Sequence, residues 1–390
     1  MDTQNTTVHI KLWHREFWML AVANLLLQMS VYILILALPP YLHQNGFSGM
    51  RVGMLMGAYG VGLFSLGSMC SYLVQRYRRN HVCQYAILGV VLCIGLLYYL
   101  EFVANVKLEF WMLLCTRFLM GAEVGLATMV LGSTLVIDVV KSSQRTSANH
   151  IMSWLGRFSL ALGPLLSVMV MPRLGYSYVL ILSAIFAMGA WVLISLVSFP
   201  FKAPSDKMSL FSWDRFFLPQ GFPLFFNLVM LMTIMGLLLT QCHGAIYYGM
   251  MMGGLVVAVI AEQVVFANAD LKSEILTGLV LLVAAILMMM SRQETAMNYI
   301  SPAFVGFSMG LVGSRFLLFY IKLADHCQRG TSQSSFFLAW ELGISLGLFL
   351  GYGVVDGERN LLWLSLSLLA ASFLFYNYVV HPWYISHKNR

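Results

Sequence analysis

Charged residues are scarce in this chain. They make up 10% of its 390 residues, whereas hydrophobic residues make up 59%; in a soluble domain about a quarter of the residues are charged. The composition therefore excludes a soluble globular protein and predicts a polytopic membrane protein embedded in a lipid bilayer. In a membrane protein, basic residues are informative because they mark the inner side of the bilayer. We therefore do not interpret the net charge of +7 as a sign of nucleic-acid binding, and we expect no nucleic-acid partner.

The motifs of enzymes and metal proteins are also missing. The six cysteines form no Cys-x-x-Cys pair, so neither a disulfide framework nor a metal site is indicated. The chain has no His-Glu-x-x-His and no Gly-x-x-x-x-Gly-Lys, which would indicate a zinc protease or a phosphate-binding loop. Residues 343–347 read Gly-Ile-Ser-Leu-Gly, but they lie in an apolar run and not in the strand-turn-helix setting of a hydrolase. We therefore expect no enzyme activity, no cofactor and no metal.

Long apolar runs, in contrast, fill most of the chain. A transmembrane helix needs about 20 apolar residues, and this rule predicts an all-α polytopic protein with twelve transmembrane helices. The break between spans 7 and 8 is placed near His243 and Gly244. The approximate spans are 17–38, 52–74, 82–104, 109–137, 147–171, 176–199, 222–243, 245–267, 274–291, 299–322, 332–355 and 361–381.

The basic residues of the connections are unevenly distributed. If the N-terminus is inside, they favour the inner side by about three to one, which predicts cytoplasmic termini in an inner (plasma) membrane. The longest connection lies midway and carries Pro204 and Pro219. The predicted domains are thus a six-helix bundle at 1–200, a cytoplasmic linker at 201–221 and a second six-helix bundle at 222–390. Within the linker, residues 209–217 are predicted to form a short interfacial amphipathic helix.

An internal repeat supports two equivalent halves. Residues 116–119, Thr-Arg-Phe-Leu, return at 314–317 as Ser-Arg-Phe-Leu, and Gln144-Arg145 returns as Gln328-Arg329. Repeats of this length are typical of secondary transporters, whose substrate site lies between two pseudo-symmetric six-helix bundles.

Small residues spaced four apart recur in five of the spans. Such spacing lets helix backbones approach closely where no hydrophobic driving force acts between helices. We therefore predict close helix packing at the pairs Gly53/Gly57, Gly121/Gly125, Gly249/Gly253, Gly306/Gly310 and Gly347/Gly351.

These features resemble the major facilitator superfamily. After span 2 that family usually carries Gly-x-x-x-Asp-Arg-x-Gly-Arg-Arg, and the run 71–79 keeps the basic residues but has Gln75 in place of the acid. Span 4 has the family's spacing in Arg117, Gly121 and Gly125, and span 5 has the Gly163-Pro164 pair that is typical of exporters. The resemblance implies alternating access around a central cavity and, through Gly163-Pro164, the drug- and sugar-efflux branch.

Six charged residues, three basic and three acidic, lie well inside the predicted spans and not at their ends. A charge in hydrocarbon costs about 3 kcal/mol on insertion scales, so such residues face a bundle interior or a cavity. The repeat places Arg117 and Arg315 in a common cavity as substrate ligands. For Arg157 and Glu262 the sequence also allows a structural ion pair between the halves. The proton-coupling candidates are Glu123, Glu262 and Glu341.

Polar residues of the first span of each three-span group are further substrate-contact candidates. Span 1 offers three on one helical face, and span 7 offers others; interhelical hydrogen bonds are the alternative reading. The substrate-contact candidates are Asn24, Gln28, Tyr32, Asn227 and Gln241, and the gating candidates are Arg76, Arg79, Asp138, Arg157, Gly163 and Pro164.

The sequence as a whole predicts a secondary active transporter. We expect a monomer that moves a small organic solute by proton-coupled export. Two alternatives remain open at this point: a proton-coupled importer of an organic anion, and a polytopic receptor or membrane enzyme.

Overall fold

The computed structural model confirms twelve helices that are long and apolar enough to cross a membrane. It describes residues 14–106, 109–141, 144–199, 209–241, 244–267, 269–291, 296–325 and 328–388; His243 lies outside these ranges. The helices are α1 Arg15–Gln44, α2 Gly49–Arg76, α3 Arg79–Val103, α4 Phe110–Val139, α5 Arg145–Leu174, α6 Tyr176–Ser195, α7 Pro219–Leu239, α8 Ala245–Val264, α9 Leu271–Ser291, α10 Met297–Leu323, α11 Arg329–Gly353 and α12 Glu358–His387.

Helix packing in the first half, α1–α6, repeats in the second half, α7–α12. In the first half α1 packs on α5 and α6, α2 on α4, and α3 on α4 and α6. Adding six to each number gives the contacts of the second half: α7 with α11 and α12, α8 with α10, and α9 with α10 and α12. Between the halves, α2 packs on α11 and α5 on α8. This is the pattern of two bundles related by a pseudo-two-fold axis.

Burial separates an inner from an outer set of helices. Most of α1, α4, α7, α10 and α11 is buried, whereas α3, α6 and α12 expose most of their apolar residues. Exposed apolar surface on this scale suits contact with lipid. α4 also contains a π-helical turn at Leu131–Leu135, an irregularity that often marks a functional position.

The linker joins both halves on the side of the molecule where α6 ends and α7 begins, here called the linker side. Its described part, 209–218, contains bends and turns, so the predicted amphipathic helix is wrong. The segment is held instead by specific contacts. Arg215 donates to Thr134 of the first half at 3.0 Å, and the backbone N–H of Leu218 donates to Ser335 of the second half at 2.7 Å.

Four of the five glycine pairs lie at close helix contacts, but Gly249/Gly253 faces open space. The contact glycine of α8 is the neighbouring Gly254, where an added Cβ would lie 2.0 Å from the backbone oxygen of Ala303 on α10. The small-residue spacing therefore predicted the correct helix but the wrong face.

Replacing Gly254 with alanine should lower the thermal unfolding midpoint of the purified protein. The new methyl group would push α8 and α10 apart, and overpacking of this kind costs about 1–3 kcal/mol. Gly253→Ala is the matched control, because its Cβ would contact nothing within 4 Å; it should leave the midpoint unchanged or raise it slightly. Equal midpoints for the two variants would contradict the packing described here.

Candidate functional site

The principal cavity lies between the two halves. It is lined by α1, α4, α5 and α11. Polar groups are concentrated in its wall, which is unusual for the interior of a membrane bundle and typical of a solute site. The polar lining includes Asn24, Gln28, Ser153, Arg157, Gln333 and Glu341.

Arg157, in the middle of α5, is the buried cation of this cavity. Its Nη1 donates to the backbone oxygen of Gly310 on α10 at 2.7 Å, and its Nε donates to that of Ser153 at 3.2 Å. The ring of Trp154 lies 3.9 Å from its Cζ. The buried Nη2 has no hydrogen-bond partner in the described structure. An unpaired donor on a fixed, planar guanidinium is suited to receive an anionic oxygen.

Glu341, on α11, is the buried anion of the same cavity. The Tyr32 hydroxyl, from α1, donates to its Oε1, and the Tyr59 hydroxyl, from α2, lies close to the same carboxyl group. Glu341 is only 2% exposed, and no Arg or Lys of the described residues lies within ion-pair distance. A buried carboxylate held by neutral donors alone can take up a proton without breaking an ion pair.

Arg157 and Glu341 occupy equivalent positions of the two halves. Each lies twelve residues after the first residue of its helix, Arg145 for α5 and Arg329 for α11. The contact pattern makes α5 and α11 counterparts. The repeat therefore places opposite charges at matched positions in the wall of one cavity.

The predicted direct ion pair between Arg157 and Glu262 is wrong. Glu262 accepts hydrogen bonds from His150, Ser314 and Trp154, while Arg157 donates to backbone oxygens. Trp154 stands between them, with its ring against Arg157 and its Nε1 donating to Glu262 at 3.2 Å. The contact crosses between the halves as expected, but through an indole and an imidazole.

Arg117 and Arg315 do not line the principal cavity, contrary to prediction. Arg117 stays within the first half, where its guanidinium lies 5.2 Å from the centre of the Tyr59 ring. Arg315 stays within the second half and donates to Glu274 on α9. The repeat placed both arginines on equivalent helices correctly, but equivalent residues of two bundles need not face the shared cavity.

The other predicted substrate contacts divide between the cavity and the packing. Asn24 and Gln28 line the cavity, and Asn24 also donates to the backbone oxygen of Met152 at 3.2 Å. Tyr32 binds Glu341. Asn227 is fully buried and donates to Ser372 of α12, and Gln241 lies beyond the end of α7. Neither of these two lines the cavity.

Glu123 does not face the centre of the molecule either. Its carboxyl group packs against Gly89 of α3, where an added Cβ would lie 2.7 Å from Glu123 Cδ. Of the three predicted proton-coupling residues, only Glu341 lines the principal cavity.

The gating candidates lie at two places. Gly163 permits close contact of α5 with α1, since an added Cβ would lie 2.7 Å from Tyr32 Cβ, and Pro164 follows inside the same helix. On the linker side, Arg76 donates to Tyr72, and Arg79 donates to Asp138 at 2.8 and 2.5 Å. Among the gating candidates, Asp138 thus pairs with Arg79 of the basic cluster after span 2.

Asp138→Asn should destabilise the first half, because the Arg79–Asp138 pair joins the start of α3 to the end of α4 and is only partly exposed. Charge-assisted hydrogen bonds of this kind contribute about 1.5–3 kcal/mol. The measurement is the thermal unfolding midpoint, with the exchanged pair Arg79→Asp and Asp138→Arg as the control. Failure of the exchange to recover any of the loss would argue against a direct interaction.

Comparison with known proteins decides the family. A sequence model described as Major Facilitator Superfamily matches residues 20–348. The chain belongs to the major facilitator superfamily. A search of curated proteins gave no match.

Solved structures of several transporters share the fold. The human organic anion transporter MFSD10 (TETRAN) superposes with a TM-score of 0.68 at 15% identity, covering 94% of this chain and 100% of that chain. A D-xylose-proton symporter gives 0.70 at 13% identity, covering 93% and 97%. A bacterial homologue of the iron transporter ferroportin, in its outward-facing state, gives 0.61 at 14% identity, covering 95% and 99%.

Membership in the major facilitator superfamily makes this a multi-pass secondary transporter of a small solute. The superfamily is not one of enzymes, so the enzyme alternative is removed.

Sequence reasoning missed four residues of the observed polar contacts. None of the four is a charged residue in the middle of a predicted span, and none has a partner in the internal repeat. His150 and Trp154 are, however, spaced four apart on α5 and therefore lie on the same face of that helix. The matched offset of Arg157 and Glu341 was a signal present in the sequence. The missed residues are Tyr59, His150, Trp154 and Glu274.

Proposed function

We propose that this transporter moves a small organic anion together with a proton. The observation that carries the proposal is the pairing, in one cavity, of an arginine with an unpaired N–H and a buried carboxylate that has no basic partner. Arg157 is the anion ligand, and Glu341 is the proton carrier. Gln28, which lines the same cavity and makes no side-chain hydrogen bond in the described structure, is positioned to bind the remaining polar groups of the solute.

Electrostatics favours symport for an anionic solute. When an anion binds Arg157, the cavity gains a second negative charge beside Glu341, and two like charges in a medium of low dielectric repel. Binding is therefore favoured when Glu341 carries a proton, and by linkage a bound anion favours that protonation. Proton and anion bind and leave together.

Alternating access follows from where these groups lie. Glu341 belongs to the second half, and its donor Tyr32 belongs to the first half. Protonation of Glu341 weakens this cross-half hydrogen bond, because a neutral acid is a poorer acceptor than a carboxylate. Loading the site thereby lowers the cost of separating α11 from α1.

Two of the structural relatives are consistent with this proposal. One is named as an organic anion transporter and another as a proton symporter. The uneven distribution of basic residues further supports cytoplasmic termini in an inner (plasma) membrane, and we propose that the protein acts as a monomer, since the whole cavity is formed by one chain.

Proton-coupled export, the first expectation from the sequence, is the second candidate. Gly163, the first residue of the Gly-Pro pair that favours export, packs directly against Tyr32, the donor to Glu341. Antiport requires that solute binding expels the proton from Glu341, which a cationic solute would do.

Proteoliposomes with an imposed proton gradient distinguish the candidates. The protein is reconstituted with an acidic exterior and offered a labelled monocarboxylate, a dicarboxylate, an organic phosphate, xylose and an organic cation. We expect one of the anions to accumulate above equilibrium and a protonophore to abolish this accumulation. Accumulation of the cation under the opposite gradient, with none of any anion, would overturn the proposal in favour of antiport.

A further inference from the structure

Four uncharged polar side chains in the wall of the principal cavity make no side-chain hydrogen bond with the described residues. Two are amides and two are hydroxyls. They come from α1, α4, α5 and α11, so each helix of the wall supplies one. Three of the four have a polar atom that is fully enclosed and has no partner. The four residues are Gln28, Thr128, Ser153 and Gln333.

The two hydroxyls differ from others on the same helices. A buried serine or threonine commonly donates to a backbone oxygen three or four residues earlier in its own helix. Thr116 does so on α4, and Ser159 does so on α5. Thr128 and Ser153 are buried in these helices as well, but neither makes this bond in the described structure. Both hydroxyls are therefore available to a molecule in the cavity.

The uncharged groups extend from the buried cation toward the linker side. Ser153 lies one turn before Arg157 on the same face of α5, and Gln333 lies eight residues before Glu341 on α11. Because Arg157 and Glu341 occupy matched positions, this spacing puts Gln333 about 12 Å from Arg157 in depth, at about 1.5 Å per residue. The Gln333 side chain also reaches the first half, since a Cβ added to Gly132 of α4 would lie 3.2 Å from its Cγ.

These groups restrict the chemistry of the solute. A solute that displaces solvent from a polar group loses affinity unless it supplies the same hydrogen bonds, because a buried oxygen is otherwise left without a donor. The amide oxygen of Gln333 can only accept, so the solute has to donate there. The carboxylate that binds Arg157 can only accept. One solute therefore has to carry an anionic group and, apart from it, at least one donor.

Hydroxyl groups meet this requirement better than an ammonium group. A hydroxyl both donates and accepts hydrogen bonds, so it suits the amides and the hydroxyls of the wall. An ammonium group only donates, and Arg157 repels its charge. It would be attracted to Glu341, the only acid of the cavity wall among the described residues, and would leave Gln333 without a donor.

We propose that the transported anion is a hydroxylated carboxylic acid, with its carboxylate on Arg157 and its hydroxyl groups on Gln333, Ser153, Thr128 and Gln28. This assignment rests on the proposed function only in taking Arg157 as the ligand of the charge. Selectivity arises at the uncharged groups. A site that is built to bind a hydroxyl rejects an analogue that lacks it, because its own buried polar atoms are then left unpaired.

The test compares acids that differ in their hydroxyl groups alone. The pairs are lactate and propanoate, malate and succinate, and gluconate and hexanoate, with alanine as the ammonium analogue of lactate. All are offered at about pH 7, where the carboxyl groups are ionised. The thermal unfolding midpoint of the purified protein is recorded against the concentration of each acid, because a ligand of the folded state raises it. We expect the hydroxylated acid of at least one pair to act at a concentration about 10- to 100-fold lower than its analogue.

Gln333→Met tests the residue that sets this preference. Methionine keeps the Cγ that packs on Gly132 but has no amide oxygen. We expect the variant to bind the hydroxylated acid about 10-fold more weakly and its hydroxyl-free analogue as the wild type does, a difference that a merely structural role would not produce. Ser153→Ala and Thr128→Val should act in the same direction, and they carry the test if Gln333→Met does not fold.

Ser167→Ala is the matched control and should keep the wild-type preference. Ser167 is also a buried hydroxyl of α5 without a partner in the described part of the chain, but it lies outside the cavity wall. Equal or tighter binding of the hydroxyl-free acid in every pair, or of alanine over lactate, would overturn the proposal and leave Arg157 as an anion ligand. An unchanged preference in all three cavity variants would overturn it as well. Stabilisation by none of the acids would do the same, and uptake into proteoliposomes would then decide whether the proposed function itself holds.

Discussion

Replacing Arg157 with lysine should raise the KM for the transported anion by about 10- to 100-fold while the protein remains folded. Lysine keeps the positive charge but loses the planar fork that donates to Gly310 and stacks on Trp154, and with it the unpaired Nη2 donor. A charge-assisted hydrogen bond contributes about 1.5–3 kcal/mol, which corresponds to this range. The measurement is the initial rate of proton-driven uptake into proteoliposomes as a function of anion concentration.

Arg117→Lys is the matched control for this prediction. Arg117 is as deeply buried as Arg157, both being 2% exposed, but it packs on Tyr59 and lies outside the cavity wall. We expect its replacement to lower the unfolding midpoint and to leave the KM near the wild-type value. A wild-type KM in Arg157→Lys, or equal KM changes in the two variants, would exclude Arg157 as the anion ligand.

Glu341→Gln should abolish proton-driven accumulation of the anion and preserve exchange of the anion across the membrane at equal concentrations. Glutamine imitates the protonated acid, so the cavity accepts the anion at any pH, but the carrier has no proton to release. The two readouts are uptake driven by a proton gradient and counterflow without one. The pH dependence of anion binding should disappear in the same variant, since the titrating group near the bound anion has been removed.

Glu123→Gln is the corresponding control. Glu123 was the leading proton-carrier candidate in the sequence, but its carboxyl group packs against Gly89 on α3. Its replacement should leave proton-driven accumulation intact. Loss of accumulation in Glu123→Gln, with accumulation retained in Glu341→Gln, would reverse the assignment of the proton carrier.

The architecture could be predicted from the sequence because the bilayer imposes it. Backbone N–H and C=O groups have no water to bind in hydrocarbon, so each apolar run of sufficient length forms a helix. The repeat that begins at residues 116 and 314 then requires similar packing of α1–α6 and α7–α12. The depth of a residue along its helix could also be predicted from the sequence. Arg157 follows Arg145, and Glu341 follows Arg329, by the same number of residues, so the two side chains lie at equal depth in the two halves.

The face that each polar residue presents was decided only by the tertiary structure. Gly253 and Gly254 are neighbours in one helix, yet only the second meets α10. Adjacent positions differ by 100° around a helix of 3.6 residues per turn, and almost every face of an intramembrane helix is apolar. The hydrophobic pattern that orients helices in water is therefore missing.

The sequence by itself thus determined the twelve helices, their two-fold arrangement and the charges that have to be accommodated inside. The tertiary structure alone decided which charges meet. Arg157 binds Gly310 and lines the principal cavity. Arg315 pairs with Glu274 within its own half, and Glu262 binds His150. The physical reason is that a buried charge takes whichever donor or acceptor lies within about 3 Å, and that distance depends on how two helices approach one another, which no local pattern in either helix records.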